Sequence, residues 1–492
     1  MIYRLKQRWT AESGYREVLK IAFPLILSTA SVSLQHFIDR VFLTWYSAEA
    51  IAASMPASLM SWTVICLFMG TAAYSGTFVA QYYGAKRMER IGPAVWQGIY
   101  IAVAMAVVAL LCYPLADPVF ALVGHAEGVQ QMEVVYFKIL LAGTPFIVIS
   151  NAITGFFSGL GRTWTVMWIN VIGTAVNLLL DYLLIFGYYG FPEMGIAGAA
   201  WATNAAQAGM AVLFFVLMIR PAYNREYHTL QGWRFEASLF RRLLRYGLPS
   251  GWQYLLEVFA FTAFIFMVGN IGLIELAASN IAFNINMLAF MPMFGLSAAV
   301  SILVGQHLGE DRPDLAEKAT WSAYHMAFGF FSILGISYYM VPDLFIWPFA
   351  AQAEGGDFTP IQLLAANLLK FVAFYCLFDA GVMVFSGALK GAGDTRFVAI
   401  ASISLSWSGM MLPSLLLLHY RQSIYWFWVT VTFYVTTLCL AFLWRFLRGR
   451  WKSMRVIEEA PPDLAVENSG AAGLAEAPVL LAEASNSLAA GE

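Results

Sequence analysis

Four carboxylates stand inside otherwise apolar stretches of this chain: Asp39, Asp181, Glu257 and Asp379. Placing an ionisable side chain in hydrocarbon costs about 2.5–3.5 kcal/mol on insertion scales, so each position asks for a reason. Asn177 precedes Asp181 by four residues, Gln253 precedes Glu257 by four and Tyr375 precedes Asp379 by four, which puts each on its acid's face of a helix. Helix rise puts Asp39 and Asp181 about 28 Å beyond the basic residues Lys20 and Arg162, and Thr203 about 12 Å below Gly195, so these three share the outer part of a membrane. Glu257 lies about 18 Å above Arg245 and Asp379 about 13 Å below Lys370, nearly level in a core about 30 Å thick. Carboxylate, amide and hydroxyl oxygens are hard ligands for alkali or alkaline-earth cations. A carboxylate held out of water is also suited to exchanging a proton near neutral pH. Structural roles compete with these readings: Asp39 paired with Arg40 at an interface, Asp181 capping an outer loop, and Glu257 and Asp379 in buried hydrogen bonds.

The elements that position the acids are long apolar helices. A composition of 60% hydrophobic and 12% charged residues excludes a soluble globular protein. A span needs about 20 mainly apolar residues, and about twelve such stretches are legible between residues 18 and 447. Lys and Arg gather in the segments around Arg4 to Lys20, Lys86 to Arg90, Arg220 to Arg245, Arg312 to Lys318 and Arg445 to Arg455. Acids such as Glu49, Asp117, Glu193, Glu275, Glu354 and Asp357 mark the opposite loops. That bias places both termini in the cytoplasm. The basic start before Ile21 to Leu34 lacks an obvious cleavage site and reads as a retained first helix. Cys66, Cys112, Cys376 and Cys439 all fall in spans, so no disulfide framework is expected. The net charge of −2 says little about partners, since the local asymmetry matters and the sum does not; no nucleic-acid partner is expected, and the lipid bilayer is the first partner implied.

The chain is also one unit written twice. Pro24 recurs as Pro249, an offset of 225 residues that also pairs Gly70 with Gly295, Gln81 with Gln306, Gly84 with Gly309 and Trp96 with Trp321. Further on the offset becomes 232, pairing Gly155 with Gly387 and the Gly159, Gly161, Thr163 turn with Gly391, Gly393 and Thr395; the extra residues fall around Ala350 to Thr359. Six helices per unit give both halves one orientation. The expected fold is an all-α integral membrane protein of 12 transmembrane helices in two six-helix lobes, related by a pseudo-twofold axis along the membrane normal. Its parts are a cytoplasmic N-terminal segment (1–17), lobes at 18–220 and 245–450, a cytoplasmic linker (221–244) and a disordered tail (451–492). The acids break the symmetry, because Asp39 corresponds to Phe264, Glu257 to Val32 and Asp181 to Pro413.

On these residues the chain resembles the multidrug and toxic compound extrusion (MATE) transporters. The resemblance covers about residues 15–450 and rests on the Pro24 to Asp39 spacing, VAQYYGAKR at 79–87, LVGQHLGEDR at 303–312, LLEVF around Glu257, FYCLFDAG around Asp379 and SGALKGAGDTR at 386–396. It implies cation-coupled export by alternating access. One cation or proton set falls at Asp39, Asn177, Asp181 and Thr203, a second at Glu257, Tyr375 and Asp379, and a helix bend at Pro24. His36, three residues before Asp39, departs from the pattern and is a candidate proton carrier.

The expected function is therefore a monomeric inner-membrane antiporter. Na+ or H+, bound at Asp39, Asp181, Glu257 and Asp379, drives export of amphipathic or cationic small molecules, and no cofactor is needed. The rivals are a lipid-linked precursor flippase, which would favour about fourteen spans and a basic cavity, and an intramembrane enzyme. The chain lacks the HExxH, G-x-S-x-G and P-loop motifs that would signal metalloprotease, hydrolase or ATP-driven chemistry.

Overall fold

The computed structural model describes residues 8–123, 125–350 and 358–459. The first seven residues, most of the inserted loop near Ala350 and the tail beyond Glu459 lie outside them. Among the described residues there is no β-strand. Eleven helices are long and apolar enough to span a membrane: α1 (Tyr15–Tyr46), α2 (Ala48–Gly84), α3 (Met88–Leu122), α4 (Glu127–Gly159), α5 (Thr163–Phe186), α6 (Ile196–Met218), α7 (Ala237–Gly269), α8 (Leu273–Gly309), α10 (Thr359–Ala392), α11 (Thr395–His419) and α12 (Ile424–Leu447). The remaining one, α9 (Pro313–Met340), passes the same test only with the short helix Pro342–Phe349, from which it bends by 77°. Helices are the natural form here, because each backbone polar group is satisfied within its own segment.

Several helices contain proline. Pro24 and its counterpart Pro249 sit inside α1 and α7, and both helices run on through them. In α11 a π-helical turn at Ser406–Met411 precedes Pro413. A proline lacks the N–H that would bond four residues back, and a π-bulge absorbs the mismatch.

The lobes meet through α1 with α8, α2 with α7, and α2 with α8. These contacts obey the repeat. A Cβ placed on Gly70 would lie 2.9 Å from the Cα of Gly251, and one on its counterpart Gly295 would lie 2.6 Å from the nitrogen of Ile26, the counterpart of Gly251. A Cβ on Gly84 would approach the carbonyl oxygen of Gln306 to 1.9 Å, and one on Gly309 that of Gln81 to 2.2 Å. Ala80 and Gly305, themselves counterparts, touch each other, with 2.9 Å from the Ala80 Cβ to a Cβ built on Gly305. A residue can meet its own counterpart only on the pseudo-twofold axis, so the axis passes between them.

The segments outside the helices also obey the repeat. Ahead of α1, Ser13 Oγ bonds His307 Nε2 at 2.9 Å and Ser322 Oγ donates to the Ser13 carbonyl, fastening this segment to the second lobe. Arg312 donates to both carboxylate oxygens of Glu12, at 2.6 and 3.0 Å, and its guanidinium holds the Glu12 carboxyl below its usual range. Ahead of α7, the Trp96 indole donates to Thr229 O at 2.6 Å, fastening the linker to the first lobe. The segment expected to open the tail is instead packed as far as Val456. Trp451 and Val456 are fully buried, and Trp451 stacks on Phe446 with ring centroids 4.9 Å apart.

Because backbone lies against Gly84, Gly84→Ala is expected to destabilise the folded chain by about 1–3 kcal/mol. Gly128→Ala, at a position with nothing within 4 Å of the new Cβ, is expected to be neutral. Thermal unfolding of the two variants in detergent checks the contrast, and equal melting temperatures would refute the close-packing argument.

Candidate functional site

The outer cluster is built on three helices at one level. Asp39 stands seven residues before the end of α1, Asp181 five before the end of α5 and Thr203 seven after the start of α6. At 1.5 Å per residue these lie within about 3 Å of one another along the membrane normal. α5 packs against both α1 and α6. The register of α1 on α5 is fixed by a ladder of polar pairs: Asn170 Nδ2 donates to Ser28 Oγ at 2.7 Å, Ser31 Oγ donates to Thr174 Oγ1 at 2.9 Å, and the next rung is Asp39 facing Asp181. The two carboxyls are within hydrogen-bonding reach of each other, with Asn177 beside Asp181.

Asn177 and Asp181 are fully buried. Both Asp181 carboxyl oxygens, both amide atoms of Asn177 and Oδ1 of Asp39 are buried atoms that make no well-formed hydrogen bond to the rest of the protein. Two facing carboxylates in a low-dielectric site repel each other when both are charged. Tyr136 on α4 lies within electrostatic reach of both acids. His36 lies within reach of Asp39 from the preceding turn, with its side chain largely exposed. Nothing in the sequence near Tyr136 pointed to this site, since its helix is distant in the chain.

The second set is drawn together less tightly. Tyr375 and Asp379 are buried one turn apart on α10, 2% and 5% exposed. Glu257, half-buried on α7, accepts from Gln253 Nε2 at 2.9 Å, and the same nitrogen donates to Ser402 Oγ of α11 at 3.1 Å. Gln253 and Ser402 are the counterparts of Ser28 and Asn170, so the rung between the first and fifth helices recurs with the amide on the opposite helix. Among the described residues no hydrogen bond or ion pair joins Glu257 to Asp379 or Tyr375. Tyr434 of α12 lies within electrostatic reach of both acids. Lys390, whose ammonium lies 5.5 Å from the centroid of the Tyr254 ring, also senses Glu257. Because Glu257 occupies the position of Val32, seven residues from that of Asp39, it sits about 10 Å deeper on the equivalent helix.

No group of three or more His, Cys, Asp or Glu side chains suited to a metal occurs among the described residues. A bound alkali cation would therefore depend on amide, hydroxyl and carbonyl oxygens as well as the acids.

If the outer acids were a structural ion-pair arrangement, removing one would destabilise the protein by several kcal/mol. Because they instead face each other with, among the described residues, no ion pair from Asp181 to a basic group, Asp181→Asn is expected to leave the melting temperature at neutral pH unchanged or raised. Differential scanning fluorimetry of the purified variant reads this directly, and a large drop would overturn the description.

Comparison with known proteins agrees with this architecture. A family model described as MatE matches residues 24–183 and 249–413, one segment per repeat. A probable multidrug resistance protein NorM of Pseudomonas syringae pv. tomato is 30% identical over 393 residues, 79% of this chain and 85% of that protein. Its namesake from Thermotoga maritima is 26% identical over 90% of this chain and 94% of its own length. Among solved structures, an outward-facing multidrug resistance MATE family transporter of the MOP superfamily superposes with a TM-score of 0.80 at 19% identity, covering 91% of this chain and 98% of the other; at that identity the likeness speaks to the fold.

Proposed function

The chain belongs to the MatE family of membrane transporters, and from that premise we propose that it is a cation-coupled antiporter exporting amphipathic or cationic compounds by alternating access. The observation that carries this reading is the outer acid pair: Asp39, half-buried with its Oδ1 out of solvent, faces the fully buried Asp181, with Asn177 beside them and, among the described residues, no ion pair from either acid to a basic group. In one state of the lobes the pair takes up Na+ or a proton and loses its negative charge. In the other it releases the ion and recovers the charge. Coupling follows because ion and substrate favour different states of one two-state body.

Each residue has a place in this scheme. Asp39 and Asp181 carry the charge that changes, Asn177 and Thr203 supply neutral oxygens at the same level, and His36 relays protons to Asp39 from the exposed surface. Pro24 lets α1 bend, which would break the Asn170–Ser28 and Ser31–Thr174 rungs and part Asp39 from Asp181. Glu257, Tyr375 and Asp379 form a second, deeper site, with Tyr434 within electrostatic reach of both acids. Aromatic rings attract cationic substrates and methionines adapt to their shape. The chain works as a monomer in the cytoplasmic membrane with both termini inside, in keeping with the gathering of basic residues at one end of the bundle. An intramembrane enzyme is excluded by the family.

Purified protein in liposomes loaded with a fluorescent cationic dye, with sodium and pH gradients imposed separately, tests this. Asp39→Asn and Asp181→Asn are each expected to lower gradient-driven dye movement by about tenfold or more. Glu257→Gln is expected to reduce one ion dependence more than the other. Wild-type rates in all three variants under both gradients would reject the proposal.

A further inference from the structure

The basic end of the bundle is closed by two hydrogen bonds that the repeat makes equivalent. Gln81 Nε2 of α2 donates to the Gly391 carbonyl at the end of α10, at 3.0 Å, and its counterpart Gln306 Nε2 of α8 donates to the Gly159 carbonyl at the end of α4, at 2.8 Å. Gly159 and Gly391 are themselves counterparts, so each lobe's glutamine caps a helix of the other lobe. The recipients are among the last carbonyls of their helices, which have no intrahelical donor. The same two glutamines lend their own carbonyls to the close approaches at Gly84 and Gly309, and they flank the Ala80–Gly305 contact on the axis.

Among the described residues only one of the two is held further. The peptide N–H of Val456 donates to Gln81 Oε1 at 2.8 Å, which fixes the amide with its Nε2 toward Gly391. Arg242 of α7 donates to the Val456 carbonyl, and the Val456 side chain lies over Gly393, where a Cβ would meet Val456 Cγ1 at 2.8 Å. The strap from Trp451 to Val456 is anchored to the second lobe by Lys452 to Glu317 at 2.6 Å and Arg455 to Asp311 at 2.9 Å. It therefore ties the second lobe, through one glutamine, to the first.

We propose that Gln81 and Gln306 are a repeat-related latch holding the basic end shut, and that the strap 451–456 sets the strength of the latch by gripping Gln81. The glutamines are positioning residues: they touch no ion or substrate and act on which state of the lobes is populated. The inference rests on the alternating-access reading, yet its test needs no transport.

Spin labels at Glu89→Cys and Asp314→Cys, exposed counterparts at the basic end, report the separation of the lobes by double electron–electron resonance in nanodiscs without substrate or ion gradient. The ratio of long to short distances is expected to rise about fivefold in Gln306→Ala, which loses one hydrogen bond, by more in Gln81→Ala, which also loses the bond from Val456, and by about 25-fold or more in the double variant. Val456→Pro, which removes the N–H that grips Gln81, is expected to move the ratio in the same direction by less, and Val456→Ala, which keeps that N–H while trimming the side chain over Gly393, is expected to leave it unchanged. An unchanged ratio in the monodisperse double variant overturns the latch. A shift there with none in Val456→Pro overturns the role of the strap. Should the double variant fail to fold, the single glutamine variants decide in the same way. Distances that shift while dye transport in liposomes remains absent even for the wild type would leave the latch standing and reject the antiport reading.

Discussion

How closely two backbones can approach decides where this molecule is closed. At Gly70, Gly84, Gly295 and Gly309 there is no room for a side chain, and the opposing lobe's backbone fills the space. Small residues at such crossings are how helices pack in lipid, where there is no hydrophobic gain from pressing apolar faces together. The consequence is a tight seam around the axis at Ala80 and Gly305, toward the basic ends of α2 and α8. Thr29, which bonds the Met291 carbonyl at 3.2 Å, is one more contact across it. Asp39 lies ten residues farther along α1 than Thr29, about 15 Å nearer the acidic end.

That separation is what a device working by alternate opening requires. The outer acids meet within the first lobe, between α1 and α5, while the contacts between lobes are made elsewhere on α1, α2, α7 and α8. α1 takes part in both, meeting α5 through its ladder of hydroxyls and amides and α8 through Ile26 and Thr29. A change in how α1 sits on α5 is therefore felt at the lobe seam without a separate relay. The second lobe repeats the rung but not the acid: Gln253 and Ser402 stand where Ser28 and Asn170 stand, and the carboxylate appears on the next turn as Glu257.

Much of this was legible in the residues. The offset of 225 that pairs Pro24 with Pro249 and Gln81 with Gln306 gave two lobes, and the acids stood out because hydrocarbon tolerates so few. Asp181 and Asn177 share a face by spacing alone, and depth from Lys20 and Arg162 brought Asp39 level with them. The same depth argument put Glu257 level with Asp379, but equal height does not imply contact, and in the fold Glu257 accepts from Gln253, with Tyr434 within electrostatic reach of both acids. Tyr136 and the Ser28, Ser31, Asn170, Thr174 ladder were illegible because polar residues spread over two helices acquire meaning only when the helices' relative rotation is known. The strap was misread for a related reason: Trp451 and Val456 are flanked by charged residues, and only a surface on the folded bundle makes their burial favourable.

Sequence by itself determined the helices, their number, the duplication and the lobe in which each acid lies, because apolar length, periodicity and charge cost are local properties of the chain. Tertiary structure alone decided which side chains face one another, that Asp39 meets Asp181 while Glu257 meets Gln253, and that each lobe's glutamine caps the other lobe's helix. Those depend on the rotation and crossing of rigid helices, a few ångströms that no count of residues along one helix can supply.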